Sequence, residues 1–131
     1  MTTRRAGLVY GVGALRAAAR GDRMMWSLHR AALAYGIIPV VPVVAVAEAF
    51  RTEPRGDRID ALLAGAEVEA LDGVDARRVG ELAARSGTAD LVAVATTEVA
   101  DRHNAAVINS RQAAVRTAAE LLGHELVQYN V

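Results

Sequence analysis

The sequence predicts an α/β domain built on a central parallel sheet of about five strands flanked by helices. Three observations carry that prediction. Short β-rich runs alternate with stretches of helical periodicity along the whole chain. No internal repeat or low-complexity linker divides the 131 residues, a length that suits one domain, 1–131, with one core. The first apolar run, Gly7-Leu8-Val9-Tyr10, empties into a small-residue turn, Gly11-Val12-Gly13-Ala14. Sites in such folds lie beyond the carboxyl ends of parallel strands.

Taken in order, the first strand is Gly7 to Tyr10, and two helical stretches follow it. The second of these, Arg23 to Tyr35, places Met24, Leu28 and Trp26 on its inner face by 3.6-residue periodicity. Ile37 to Val41 is the second strand, and Pro42 suits the first turn of a helix over Val43 to Phe50. Arg58 to Leu63 forms a short helix closed by Gly65, before a third strand from Glu67 to Leu71. Asp72 caps a helix that runs to Arg85 and ends near Gly87, and Thr88 caps the next, Ala89 to Arg102. Ala105 to Asn109 is the fourth strand. Ser110 caps a helix over Arg111 to Leu122 that stops at Gly123, and Glu125 to Val131 is the fifth strand. Gly11, Glu48, Asp90 and Arg111 lie just after strands or near helix starts. Right-handed crossovers would bring them to one edge of the sheet.

Composition excludes several function classes. There is no cysteine, hence no disulfide, thiolate metal site or thiol nucleophile. Fifteen basic residues balance fifteen acidic ones, so no general field draws nucleic acid. Every basic residue is arginine, which together with the alanine excess reads as a GC-rich coding bias. No apolar run reaches the roughly 18 residues of a membrane span, so no membrane association is expected. Met1-Thr2-Thr3-Arg4-Arg5 has no long apolar region behind it, so no signal peptide is expected and a cytoplasmic location fits best.

The local motifs are weak when read singly. Gly11-Val12-Gly13 resembles the opening of a dinucleotide loop, but Arg16 stands where the third glycine belongs. His29, His103 and His124 show no metal-ligand spacing and read as surface residues. Ser86-Gly87-Thr88 reads as a helix-joining turn, and Arg51 to Arg58 as a solvated loop of nearly cancelling charge. Glu48 is a lone carboxylate in the apolar stretch Val43 to Phe50, either an exposed stripe or a buried metal carboxylate. The helix dipole alone would explain Asp90 at a helix start.

Read together, four blocks resemble a PIN domain similar to the VapC-type ribonuclease toxins of toxin–antitoxin systems. The blocks are Gly7 to Leu15, Val40 to Pro42 leading to Ala47-Glu48-Ala49-Phe50-Arg51, Ser86 to Val92, and Ala106 to Arg111. Their order and spacing cover nearly the whole chain. The resemblance implies a three-layer PIN-like domain and an acidic cluster holding Mg²⁺ or Mn²⁺, which would activate water against a phosphodiester. It assigns Glu48 and Asp90 to two acid positions. It puts Gly11 at the first acid position, Arg111 at the fourth, and Ala93 where some relatives carry a further acid.

Two of four expected ligands are thus replaced, and Arg111 is expected to pair with Asp90 or Glu48 in place of the cation. The expected function is that of a catalytically degenerate PIN-like protein, with no cofactor. It would act by binding RNA, an antitoxin-like protein or, as a homodimer, a second copy. The alternative is an active Mg²⁺- or Mn²⁺-dependent endoribonuclease with Glu98 or Asp101 as helper. Glu98, eight residues beyond Asp90, would lie roughly 12 Å away along a helix, too far for one ion. A nucleotide-binding regulatory domain is a third class.

Overall fold

A computed structural model describes residues 7–53, 56–109 and 128–130. The elements are β1 (Leu8–Tyr10), α1 (Val12–Ala19), α2 (Arg23–Ala34), β2 (Val40–Pro42), α3 (Val43–Thr52), α4 (Asp57–Leu63), β3 (Glu67–Glu69), α5 (Gly73–Ser86), α6 (Leu91–His103), β4 (Ala106–Asn109) and β5 (Gln128–Asn130). The expected helix over 111–122, with Arg111 itself, lies outside the described residues.

The strands form a five-stranded sheet in the order β3-β2-β1-β4-β5, and every pairing is parallel. Val9 pairs with Val40 on one side, and Val9 and Tyr10 pair with Val107 and Ile108 on the other. The order reverses at β1: the chain builds outward through β2 and β3, then crosses back to lay β4 on the opposite flank. The crevice at the carboxyl ends of β1 and β4 is therefore the topological switch point, where α/β sheets take ligands.

The strands are short, and the central residues of β1, β2 and β4 are buried, as the middle of a parallel sheet covered on both faces requires. Alternation sends Tyr10 and Ile108 to one face, into a core with Leu15, Met25, Ile59 and Leu62. Val9 and Val107 face the other way, against Val99 and Ala100 of α6. Alanines dominate α1 and recur along α3 and α6, and their small side chains let these helices lie close to the sheet and to one another.

Several boundaries differ from the sequence reading. Helix α6 starts at Leu91 rather than Ala89, and its cap is Asp90, whose carboxylate accepts the Ala93 N–H at 3.1 Å. Thr88 instead accepts the Asp90 N–H at 3.0 Å. The third strand stops at Glu69, because Asp72 turns the chain into α5 by accepting from Asp75 N–H. Met25 rather than Met24 enters the core, and Met24 is 65% exposed. His29 is a core residue and not a surface one: its Nδ1 lies 2.9 Å from the Tyr10 hydroxyl, and Trp26 meets its ring edge-on. The two ends of the stretch read as a loop, 51–58, are helical, with Arg51 and Thr52 closing α3 and Asp57 and Arg58 opening α4.

Candidate functional site

Gly11 follows β1 directly and is the N-cap residue of α1, in extended conformation. Its amide donates to Ile108 O at 3.0 Å, which ties it to β4. A glycine cannot cap a helix with its own side chain. Asn109, fully buried at the end of β4, supplies the cap instead, and its Oδ1 accepts the Gly13 N–H at 2.7 Å. A Cβ on Gly11 would stand only 2.6 Å from the Asn109 amide carbon and nitrogen. The side-chain space beyond β1 is thus occupied by an amide from β4. The polar residue closing the apolar run Ala106-Val107-Ile108 was the available signal for it, and sequence reasoning passed over it.

Helix α3 springs straight from β2, with Pro42 as its N-cap residue. This carries Glu48 toward the same crevice. Asp90 arrives from the N-terminus of α6. Together Val12, Arg16, Glu48, Asp90, Leu91 and Val92 line a cleft of about 290 Å³. Two predicted residues, Glu48 and Asp90, therefore share one cleft. Gly11 immediately precedes Val12, which lines the cleft, and Ala93 is buried, its amide spent on the Asp90 cap.

The electrostatics of the cleft are set by arginines. Arg51, one turn beyond Glu48 on α3, donates from Nε to both carboxylate oxygens at 3.1 and 3.0 Å, and its terminal nitrogen also contacts Oε1. Arg16 of α1 enters from the other side, with a terminal nitrogen 3.5 Å from Oε1 and Nε donating to Thr52 Oγ1 at 3.3 Å. The hydrogen bonds from Arg51 hold the Glu48 carboxyl below its ordinary titration range, and the charge of Arg16 adds to the effect. The same contact raises Arg51. The i, i+3 spacing of Glu48 and Arg51 was legible as a helical pair. The role of Arg16 was not, because its meeting with Glu48 spans two helices.

Mg²⁺ and Mn²⁺ call for several oxygen ligands. Here one carboxylate is already taken by arginine, another serves as a helix cap, and the third oxygen nearby belongs to an amide. Among the described residues, no group of three His, Asp or Glu is placed to hold a metal ion. This donor set does not fit such a cation.

Glu98 points elsewhere. Its carboxylate is 1% exposed and lies between α5 and α6, with Arg102 Nε at 2.9 Å and Arg78 at 3.4 Å. Arg102 also reaches Glu69 at 2.8 Å, and Glu69 takes His103 at 2.7 Å. Burial works to raise the Glu69 carboxyl, but bonds from His103 and Arg102 outweigh it and leave the group lowered. Arg102 is raised chiefly by its bond to Glu98. This chain of charges fastens α6 to α5 and to the edge strand β3, and Glu98 is no part of the cleft.

No helix among the described residues is long and apolar enough to cross a membrane. No family description matches the sequence, and no curated protein does. Solved structures do match by shape. One is the crystal structure of VapBC2 from Rickettsia felis bound to a DNA fragment from their promoter. It aligns at a TM-score of 0.65 over 95% of this chain and 98% of the matched chain, with 14% sequence identity. The chain shares the fold of that protein, at an identity where almost every side chain has changed.

Proposed function

We propose that this chain is a PIN-like domain of toxin–antitoxin lineage that has given up metal-dependent RNA cleavage and acts by binding. The observation that carries the reading is the state of Glu48, a carboxylate at the switch-point cleft held by Arg51 and approached by Arg16. A divalent cation would have to displace one guanidinium and sit beside the other. Asn109 supports the same reading, since an uncharged amide fills the space beyond β1. The fold likeness to VapBC2, a protein seen with promoter DNA, supports the lineage. The partners in view are RNA, an antitoxin-like protein and a second copy packed through alanine-rich helices.

The test is a cleavage assay on structured RNA with Mn²⁺, run beside Glu48→Ala. The expected result is no cleavage that depends on Glu48. Cleavage lost on Glu48→Ala would overturn the reading, and so would calorimetric Mn²⁺ binding at micromolar concentration that this substitution abolishes.

A further inference from the structure

Arg16 is the cation that lines the cleft, and its contacts there are long. A guanidinium offers five N–H donors in a rigid fork. Among the described residues its partners are Thr52, at a long 3.3 Å, and Glu48 at 3.5 Å. Glu48 is meanwhile held through both oxygens by Arg51. The three groups carry a net positive charge. Asp90 cancels it in formal charge, but one of its oxygens is committed to the α6 cap, and the positive end of that helix offsets part of its charge. The Arg16 side chain is 33% exposed, so its spare donors are open to a ligand.

The geometry points to Arg16 as the anchor of a binding site for a phosphate monoester, the terminal phosphate of a nucleotide or of an RNA end. This rests on the reading that the cleft binds rather than cuts. The choice of anion follows from competition with Glu48. A ligand carboxylate replacing Glu48 on Arg16 exchanges one single charge for another, and an internal phosphodiester also brings only one. A monoester brings about −1.5 to −2 at neutral pH, with three acceptor oxygens that match the fork. Val12, Leu91 and Val92 give the cleft an apolar wall for the attached sugar or base. Its volume of about 290 Å³ is close to the roughly 300 Å³ at which small-ligand pockets begin.

Calorimetry on the full chain at fixed salt tests this with tetraribonucleotides bearing a 5′-phosphate, a 3′-phosphate or neither, beside adenosine monophosphate and inorganic phosphate. A phosphorylated end is expected to bind about tenfold tighter than the unphosphorylated oligomer, the scale of one charge-assisted contact. Arg16→Gln should erase that difference, and Glu48→Gln, which removes the competitor, should enlarge it. Adenosine monophosphate matching the oligomers identifies a nucleotide as the source, whereas binding by oligomers alone identifies an RNA end. Equal binding with and without the phosphate overturns the proposal. So does a preference that survives Arg16→Gln or weakens in Glu48→Gln. Such failures leave the loss of metal cleavage standing, because that is read separately by Mn²⁺ titration.

Discussion

Gly11→Ala is expected to destabilise the fold by roughly 2–4 kcal/mol. The backbone is not the reason, since φ −86° and ψ −179° suit any residue. The cost comes from a methyl group placed 2.6 Å from two atoms of the Asn109 amide and 2.9 Å from a third. Real carbon contacts are nearer 3.5–4.0 Å, so the amide must move by about 1 Å. Overpacking of this kind costs about 1–3 kcal/mol. Moving the amide also lengthens its 2.7 Å bond from Gly13 N–H, a further loss of about 1 kcal/mol. Set against a total stability of about 5–15 kcal/mol, this is a large fraction. It corresponds to a Tm lowered by roughly 8–16 °C.

Urea unfolding followed through Trp26, the single tryptophan, measures the effect. The decisive comparison is a double-mutant cycle with Asn109→Ala. In that background the amide is gone and Gly11→Ala should cost under about 1 kcal/mol, a coupling of at least 1 kcal/mol between the two sites. A cost equal in both backgrounds within about 0.5 kcal/mol would refute the argument that Asn109 is why position 11 is glycine.

Other outcomes follow from the same geometry. Glu98→Gln leaves Arg102 and Arg78 facing a buried amide, and should cost about 3 kcal/mol, the low end for a broken buried pair because both arginines reach solvent. An unchanged urea midpoint would count against that network. Tyr10→Phe removes the partner of His29 Nδ1 inside the core and should cost about 1–2 kcal/mol without altering the m-value. Burial lowers His29, so the unfolded chain takes up its proton first as pH falls. The contribution is whole above the unfolded value of about 6.5 and is lost as pH drops through the lower folded value. Stability measured from pH 7.5 to 5 should therefore fall, and His29→Asn should flatten that part of the slope.

The sequence by itself determined the alternation of strands and helices and the parallel sheet. These rest on local signals: apolar runs, the Asp72 cap, glycines after helices, and short-range spacing along one element. Glu48 was legible as a lone acid in an apolar helix that follows a strand, Asp90 as an acid at a helix start, and the resemblance of the four blocks assigned both to acid positions. What only the tertiary structure decided are contacts between residues far apart in the chain. Asn109 reaches a turn 96 residues earlier, and Arg16 crosses from α1 to α3 to meet Glu48. His29 enters the core because α2 rotates Met25, not Met24, toward the sheet. Periodicity gives the faces of an element but not which neighbour each face meets. The chemistry of this cleft is a property of such meetings: an amide from β4 standing in the space beyond β1, and an arginine from α1 beside the Glu48 carboxylate.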